Sequence, residues 1–275
     1  MDGSRLERRV AAAGGKSRRL HPFRFPFEQR VHVAAFLIAF AALPAVAQDV
    51  KFDPNLVNQA NFSQFARVVG QAIFATPVQP ARASGLLGFD AGVAATVVKI
   101  DEGAAYWRAA VPQGNTFTSH GYIGVPRLVA SKGFGFGTIS GTYAKVSNSG
   151  ITTWGGSLDT PLLRGGLLKP ELALRLSYST LTGIDVFHEK TYGAEVFLSK
   201  GFGPITPYAA VGRMRIDARG DVPATSHSTA FTLTDKSSLN RYTVGVRLSL
   251  MVPKLVVEAT QAEVRSYAAK ISIGF

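Results

Sequence analysis

Tyr267-Ala268-Ala269-Lys270-Ile271-Ser272-Ile273-Gly274-Phe275 ends the chain on an unbroken two-residue alternation. Tyr267, Ala269, Ile271, Ile273 and Phe275 fall on one face of an extended strand, and Ala268, Lys270, Ser272 and Gly274 on the other. Chain ends fray, so a soluble protein that finished on such a strand would hand its apolar side chains to water. The pattern therefore points to a sheet with an apolar side that is covered and a second side that tolerates a lysine. An edge strand of a soluble sandwich is the alternative.

Working back from that tail, the same division of polarity recurs. Tyr242, Val244, Val246, Leu248 and Leu250 oppose Arg241, Thr243, Gly245, Arg247 and Ser249. Leu172, Leu174, Leu176 and Tyr178 oppose Arg175, Ser177 and Ser179. Tyr192, Ala194, Val196 and Leu198 oppose Thr191, Glu195 and Ser199, while Leu255, Val257 and Ala259 oppose Glu258 and Thr260. An arginine face cannot pack on a soluble core, but the interior of a transmembrane barrel accepts it. Fainter strands are read at 87–99, 122–130, 134–146, 151–160 and 205–217; in the last, Tyr208, Ala210, Met214 and Ile216 are assigned to lipid and Arg213, Arg215 and Asp217 to the inside. The total is about ten strands, within a range of eight to twelve. Turns at 131–133, 164–169, 201–204 and 252–254 are short and share one end, whereas two long connections, 101–121 and 218–238, lie at the other, matching the asymmetry of outer-membrane barrels.

Val31 to Ala42 is an apolar run too short to cross a bilayer as a helix, and Ala45-Val46-Ala47 before Gln48 reads as a leader-peptidase site. Residues 1–47 are accordingly read as a leader with its signal peptide, from a start assigned too far upstream, and Gln48 as the mature N-terminus. The leader carries eight Lys and Arg against three Asp and Glu, so the whole-chain charge of +12 falls to about +7 without it. A basic nucleic-acid-binding arm is the other reading of 1–30, but nothing downstream resembles a nucleic-acid module, and no nucleic-acid partner is expected. The sequence has no cysteine, which excludes disulfides, thiolate metal sites and a lipidated N-terminal cysteine. With no long apolar helix downstream, a membrane location requires a closed sheet.

Residues 48–84 do not alternate. Asp53-Pro54 resembles a helix opening, and Phe62, Phe65, Val69, Ala72 and Ile73 recur at helical spacing until Pro77 and Pro80. One or two short helices over about 55–75 are expected. They could plug the lumen, lie as a lid across the periplasmic mouth, or rest on the membrane surface outside the barrel.

No catalytic or metal-binding constellation emerges, and neither an enzyme nor a cofactor is expected. His120, His188 and His227 have no ligand spacing. Ser177, Ser179 and His188 on neighbouring segments are the weak hydrolase candidates. Gly14-Gly15-Lys16-Ser17 lacks the first glycine of a phosphate loop, since Val10 stands there. Trp107, Trp154, Tyr143, Tyr178, Tyr192, Tyr208, Tyr242 and Tyr267 are read as aromatics girdling the barrel at headgroup level. The polar faces define a lumen of Asp90, Arg175, Glu195, Arg213, Arg215, Arg241, Arg247, Glu258 and Lys270. A barrel of ten strands has a backbone radius of roughly 10 Å. An Arg–Glu network closing that bore and a narrow anion-preferring pore both fit.

The closing strand resembles that of bacterial outer-membrane β-barrels, in which a terminal aromatic after alternating apolar residues addresses the chain to the barrel-assembly machinery. Tyr267, Ile271, Ile273 and Phe275 are the positions that match. Ala173 to Gly183 and Ser199 to Tyr208 further resemble an uncharacterised family of such barrels with an N-terminal helical lead-in, over most of 55–275. The resemblance implies an all-β fold, an antiparallel transmembrane barrel at 85–275 behind the lead-in at 48–84. It also implies a bacterial outer-membrane location after export through the periplasm, with outer-membrane lipids and the assembly machinery as partners. Passage or binding of a small solute or lipid-like molecule is the expected function; a closed structural or adhesive scaffold is the alternative. Oligomeric state is not legible.

Overall fold

The computed structural model describes residues 50–81, 85–112, 118–119, 121–145, 151–166, 169–226 and 228–275. The leader, the phosphate-loop-like stretch, His120 and His227 lie outside the described residues. The strands are β1 (Phe89–Lys99), β2 (Thr118–Ser119), β3 (Tyr122–Phe134), β4 (Gly137–Lys145), β5 (Thr152–Leu163), β6 (Glu171–Thr182), β7 (Phe187–Ser199), β8 (Ile205–Val222), β9 (Phe231–Ser249), β10 (Pro253–Gln261) and β11 (Arg265–Gly274). From β3 to β11 each is antiparallel to the next, and β1 pairs with both β11 and β3, which closes the sheet on itself. The two-residue β2 only borders β3, so the wall is a barrel of ten strands, as the alternation predicts. Closure leaves no edge strand in the wall; Phe231–Arg241 of β9 run on beyond their pairing with β10.

Side-chain parity divides each strand. On β11, Tyr267, Ile271, Ile273 and Phe275 are exposed on the outside, while Ala268, Lys270 and Ser272 are buried inside. Phe275 locks the seam: its backbone exchanges hydrogen bonds of 3.0 and 2.9 Å with Phe89, and the two rings meet edge to face at 4.6 Å. The connections at 135–136, 200–204 and 250–252, with the described residues of the β5–β6 connection, share the end of the barrel where the chain terminates, the short-turn end. At the opposite, long-loop end lie 100–112, 183–186, 223–226 and 262–264. The long loop read at 218–238 is instead mostly strand. β8 and β9 run for 18 and 19 residues, so their hairpin rises above the rest of the wall and only 223–230 remain as its turn.

Among the described residues, one helix of more than a single turn fills part of the interior. α1 (Gln59–Ile73) is capped by Asn58, whose side-chain oxygen accepts the Asn61 amide at 3.0 Å, and it buries Phe62, Phe65, Ala66, Val69, Ala72 and Ile73. Asp53-Pro54 does not open it: the Asp53 carboxylate accepts from the Asn55 amide and forms a separate turn five residues earlier. Beyond Ile73 the chain becomes extended and descends to β1. A short α2 (Ala105–Arg108) in the loop after β1 supplies Tyr106 and Trp107 to the same interior core.

Candidate functional site

The lumen is built around residues 50–81. At the long-loop end Lys51 and Asp53 donate backbone hydrogen bonds to Ala110 and Ala109, and Phe52, Phe62, Phe65 and Phe187 form a cluster of edge-to-face rings 5.3–6.1 Å apart. Met214, Ile216 and Ala218 of β8 face this cluster and are fully buried. Two glycines make the fit possible. A Cβ on Gly220 would overlap the Phe62 ring, and one on Gly193 would overlap Phe74, so the wall is notched where the segment carries its aromatics. Gln71 ties α1 to the β10–β11 turn, donating to the Val264 carbonyl at 2.8 Å and accepting from the Val264 amide at 3.2 Å.

Below the helix the chemistry turns ionic. Arg127 donates to the carbonyls of Phe74 and Ala72 at 2.8 and 2.9 Å, capping the end of α1. Arg241 pairs with Glu195 at 3.1 Å and lies over the Phe74 ring, 4.2 Å from its centroid. Arg175 forms a bidentate pair with Asp159, both bonds 2.7 Å, donates to the Gln79 carbonyl and stacks on Phe197. Tyr208 donates to Glu258 at 2.7 Å, and Thr76 donates to the other oxygen of that carboxylate. Nearest the short-turn end, Lys270 bridges Asp90 at 2.7 Å and the Gln79 side-chain oxygen at 2.8 Å, with Lys254 and Ser272 also on Asp90. A small recess opens there, lined by Gln79, Asp90, Arg247, Lys254 and Lys270.

Seven of the nine lumen candidates therefore face inward: Asp90, Arg175, Glu195, Arg241, Arg247, Glu258 and Lys270. Arg213 and Arg215 do not. Both are exposed on the outer face of β8, while Tyr208, Ala210, Met214 and Ile216 point inside, the reverse of the sequence reading. The cause is the occupant: a lumen filled by an apolar helix asks the wall for apolar side chains, so polarity no longer marks the inner face. Trp107 is likewise buried against Phe65 and not part of a girdle, and Tyr208 serves Glu258; Tyr143, Trp154, Tyr192, Tyr242 and Tyr267 do face outward.

Asp159, Arg127, Gln71 and Gln79 were not singled out from sequence. Arg127 stands between Pro126 and Leu128 and Asp159 between Leu158 and Thr160, each the lone charge of its mid-strand stretch, and that was the available clue. Glu189 of β7 is a further surprise, buried against Gly70 of α1 with neither carboxylate oxygen hydrogen-bonded among the described residues. The hydrolase candidates are not brought together: Ser177 and Ser179 are buried inside, Ser179 receiving the Ala75 amide, whereas His188 is exposed on the outer face. Among the described residues no cluster of His, Asp or Glu could hold a metal.

No protein-family model and no curated protein matches the chain. Among solved structures it is similar to Neisserial surface protein A, at 12% identity over 68% of this chain and 94% of the other, with a TM-score of 0.29. It is also similar to Ail, the attachment invasion locus protein of Yersinia pestis, solved in complex with the heparin analogue sucrose octasulfate, at 10% identity over 68% and 95% of the chains and a TM-score of 0.26. A second structure of Ail gives 11% and the same score. Scores this low establish no relationship, and the closed barrel rests on the strand pairing itself.

Proposed function

We propose that the protein is a bacterial outer-membrane barrel closed by its own N-terminal segment, and that it presents its long-loop end as a rigid surface scaffold. The observation that carries this is the seating of residues 50–81 along the lumen, from the Phe52 ring cluster to the Gln79–Lys270 bond. Polar contacts at Lys51, Asp53, Gln71, Ala72, Phe74 and Gln79 and two notched glycines hold that segment, too much specific complementarity for an idle linker. The outer faces support the membrane reading, since every strand of the wall carries exposed large apolar residues, among them Val93, Leu128, Trp154, Val196, Val246 and Val257. An apolar surface on that scale is stable only in lipid.

In this reading the leader directs export through the periplasm, Tyr267, Ile271, Ile273 and Phe275 are recognised by the assembly machinery, and the chain end is periplasmic. The mature N-terminal residues, α2 and the tall β8–β9 hairpin then face outward. No reaction is assigned to the chain. Passage of a small solute is the second reading, favoured by the recess beside Lys270, and it requires the segment to leave.

Two measurements test the proposal. The full-length protein, refolded into planar bilayers, is expected to give no unitary conductance steps; stable steps would overturn the closed-barrel reading in favour of a pore. Because the chain lacks cysteine, Thr225→Cys reports topology directly. An impermeant maleimide should label it on intact cells and should label Lys169→Cys only after lysis, and the opposite pattern would reject the orientation.

A further inference from the structure

Arg213 and Arg215 sit where the outer face of β8 changes character. Ala209 and Val211 precede them on the same face, and the neighbouring outward positions of β7 and β9 change just beyond, from Ala194 and Tyr192 to Lys190, and from Val244 and Tyr242 through Asn240 and Ser238 to Lys236. Register places Arg215 opposite Tyr192 and Ser238, and Arg213 opposite Ala194 and Asn240. Asp217 lies opposite both Lys190 and Lys236. Opposed strand neighbours stand about 5 Å apart and diagonal ones about 7–8 Å, so Arg215 adjoins both Lys190 and Lys236, and Arg213 extends the patch one step toward the apolar wall.

The patch is under-neutralised. Arg219 is spent on Asp221, at 3.1 Å, leaving Asp217 as the one carboxylate among Arg213, Arg215, Lys190 and Lys236. None of these four cations makes an ion pair among the described residues. Uncompensated arginine on a lipid-facing strand is costly near mid-bilayer and close to neutral only at the interface, which fixes the height of the patch at the headgroups. Two planar guanidiniums flanked by outward tyrosines, directly above aliphatic wall, suit an amphiphile that carries phosphate on its head and hydrocarbon beneath. A soluble polyanion would find the charges but leave the apolar wall beside them unused.

Given the outer-membrane reading above, we propose that Arg213, Arg215, Lys190 and Lys236 form a binding site for the phosphate groups of an anionic glycolipid of the outer leaflet. Its acyl chains would lie along Ala194, Val211 and Val244, and its phosphates would be held by the arginine pair.

The test is native mass spectrometry of the refolded full-length barrel, with a bisphosphorylated glucosamine lipid and the same lipid stripped of phosphate. Retention of the phosphorylated lipid is expected to exceed that of the stripped one by about tenfold, and Arg213→Ser/Arg215→Ser should erase the difference. Arg164→Ser/Lys169→Ser, a charge-matched change at the short-turn end, should leave it intact. The site is overturned if the arginine variant retains the lipid as the wild type does, or if both variants lose it equally. Displacement by millimolar inorganic phosphate would also overturn it, because it would mark a general anion patch. Lys190→Ser/Lys236→Ser, expected to lose part of the difference, serves if the arginine variant does not fold. The slower or faster migration of unboiled barrel in gels verifies folding separately. A wild type lacking that behaviour rejects the outer-membrane reading, whereas a folded barrel indifferent to phosphate rejects only this site.

Discussion

At the short-turn end the wall meets residues 75–81 with charge, through Arg175 on Asp159, Tyr208 on Glu258 and Lys270 on Asp90; at the long-loop end the same strands meet α1 with Phe187, Met214, Ile216 and Ala218. Both halves are buried, and both are closed by the same stretch of chain. The difference lies in what that stretch offers. α1 brings an apolar helical face that hydrophobic burial can use, while the extended residues beyond it expose amides and carbonyls that must be hydrogen-bonded. The inner face of a barrel is therefore matched to its occupant, level by level, and is not polar as a rule.

The largest effect is expected in the charged half. Arg175→Ala leaves Asp159 buried without its bidentate partner and should cost about 3–5 kcal/mol in urea unfolding of the refolded barrel. Replacing both, as Arg175→Met/Asp159→Leu, should restore most of that loss. If the single variant were no worse than the double, the pair would not carry the packing of this half. On the outside of the wall, Val246→Arg should cost about 2–4 kcal/mol, since Val246 lies within the outward apolar band of β9. The equivalent charge at Arg213 is native and exposed only two positions beyond Val211. A neutral Val246→Arg would mean that the apolar band does not meet lipid.

How far these contrasts could be read from sequence follows from the same physics. β6, β7, β9, β10 and β11 were legible because the alternation there obeys one rule, apolar outward to lipid and polar inward. β8 obeys it in reverse from Tyr208 onward, because its inner face meets α1 and Tyr208 meets Glu258, and a contact 182 residues away in sequence, such as Thr76 with Glu258, leaves no trace in local pattern. The helix was visible from Phe62, Phe65, Val69, Ala72 and Ile73, but its place inside the barrel was not, since a membrane-surface helix would show the same period. The glycines at 193 and 220 look in sequence like any other strand glycine. Their closer reason, a notch for Phe74 and for Phe62, needs the plug and the wall together.

A notch can be filled. Gly220→Val places its side chain against Phe62 and Phe52, and the overpacking should cost about 1–3 kcal/mol. The loss should fall on the seating of the helix and leave the wall paired, so limited proteolysis of the folded barrel should begin to cut within residues 50–58. Global unfolding without such cleavage would show that wall and segment form a single cooperative unit.

The exception to the contrast yields the smallest and most discriminating effect. Glu189 carries a carboxyl into the apolar half, against Gly70 of α1, with Asp235 on the inner face of β9, two strands away, and no hydrogen bond to either of its oxygens among the described residues. A buried acceptor without a donor costs free energy, whereas an apolar side chain of similar length does not. Glu189→Met should therefore stabilise the barrel by about 1 kcal/mol. Glu189→Gln, which keeps the polar atoms and still finds no partner, should change little. If the Met variant were instead destabilised while Gln was tolerated, the carboxyl would be needed as a hydrogen-bonding group, and the long-loop half would have to be counted as polar at that level too.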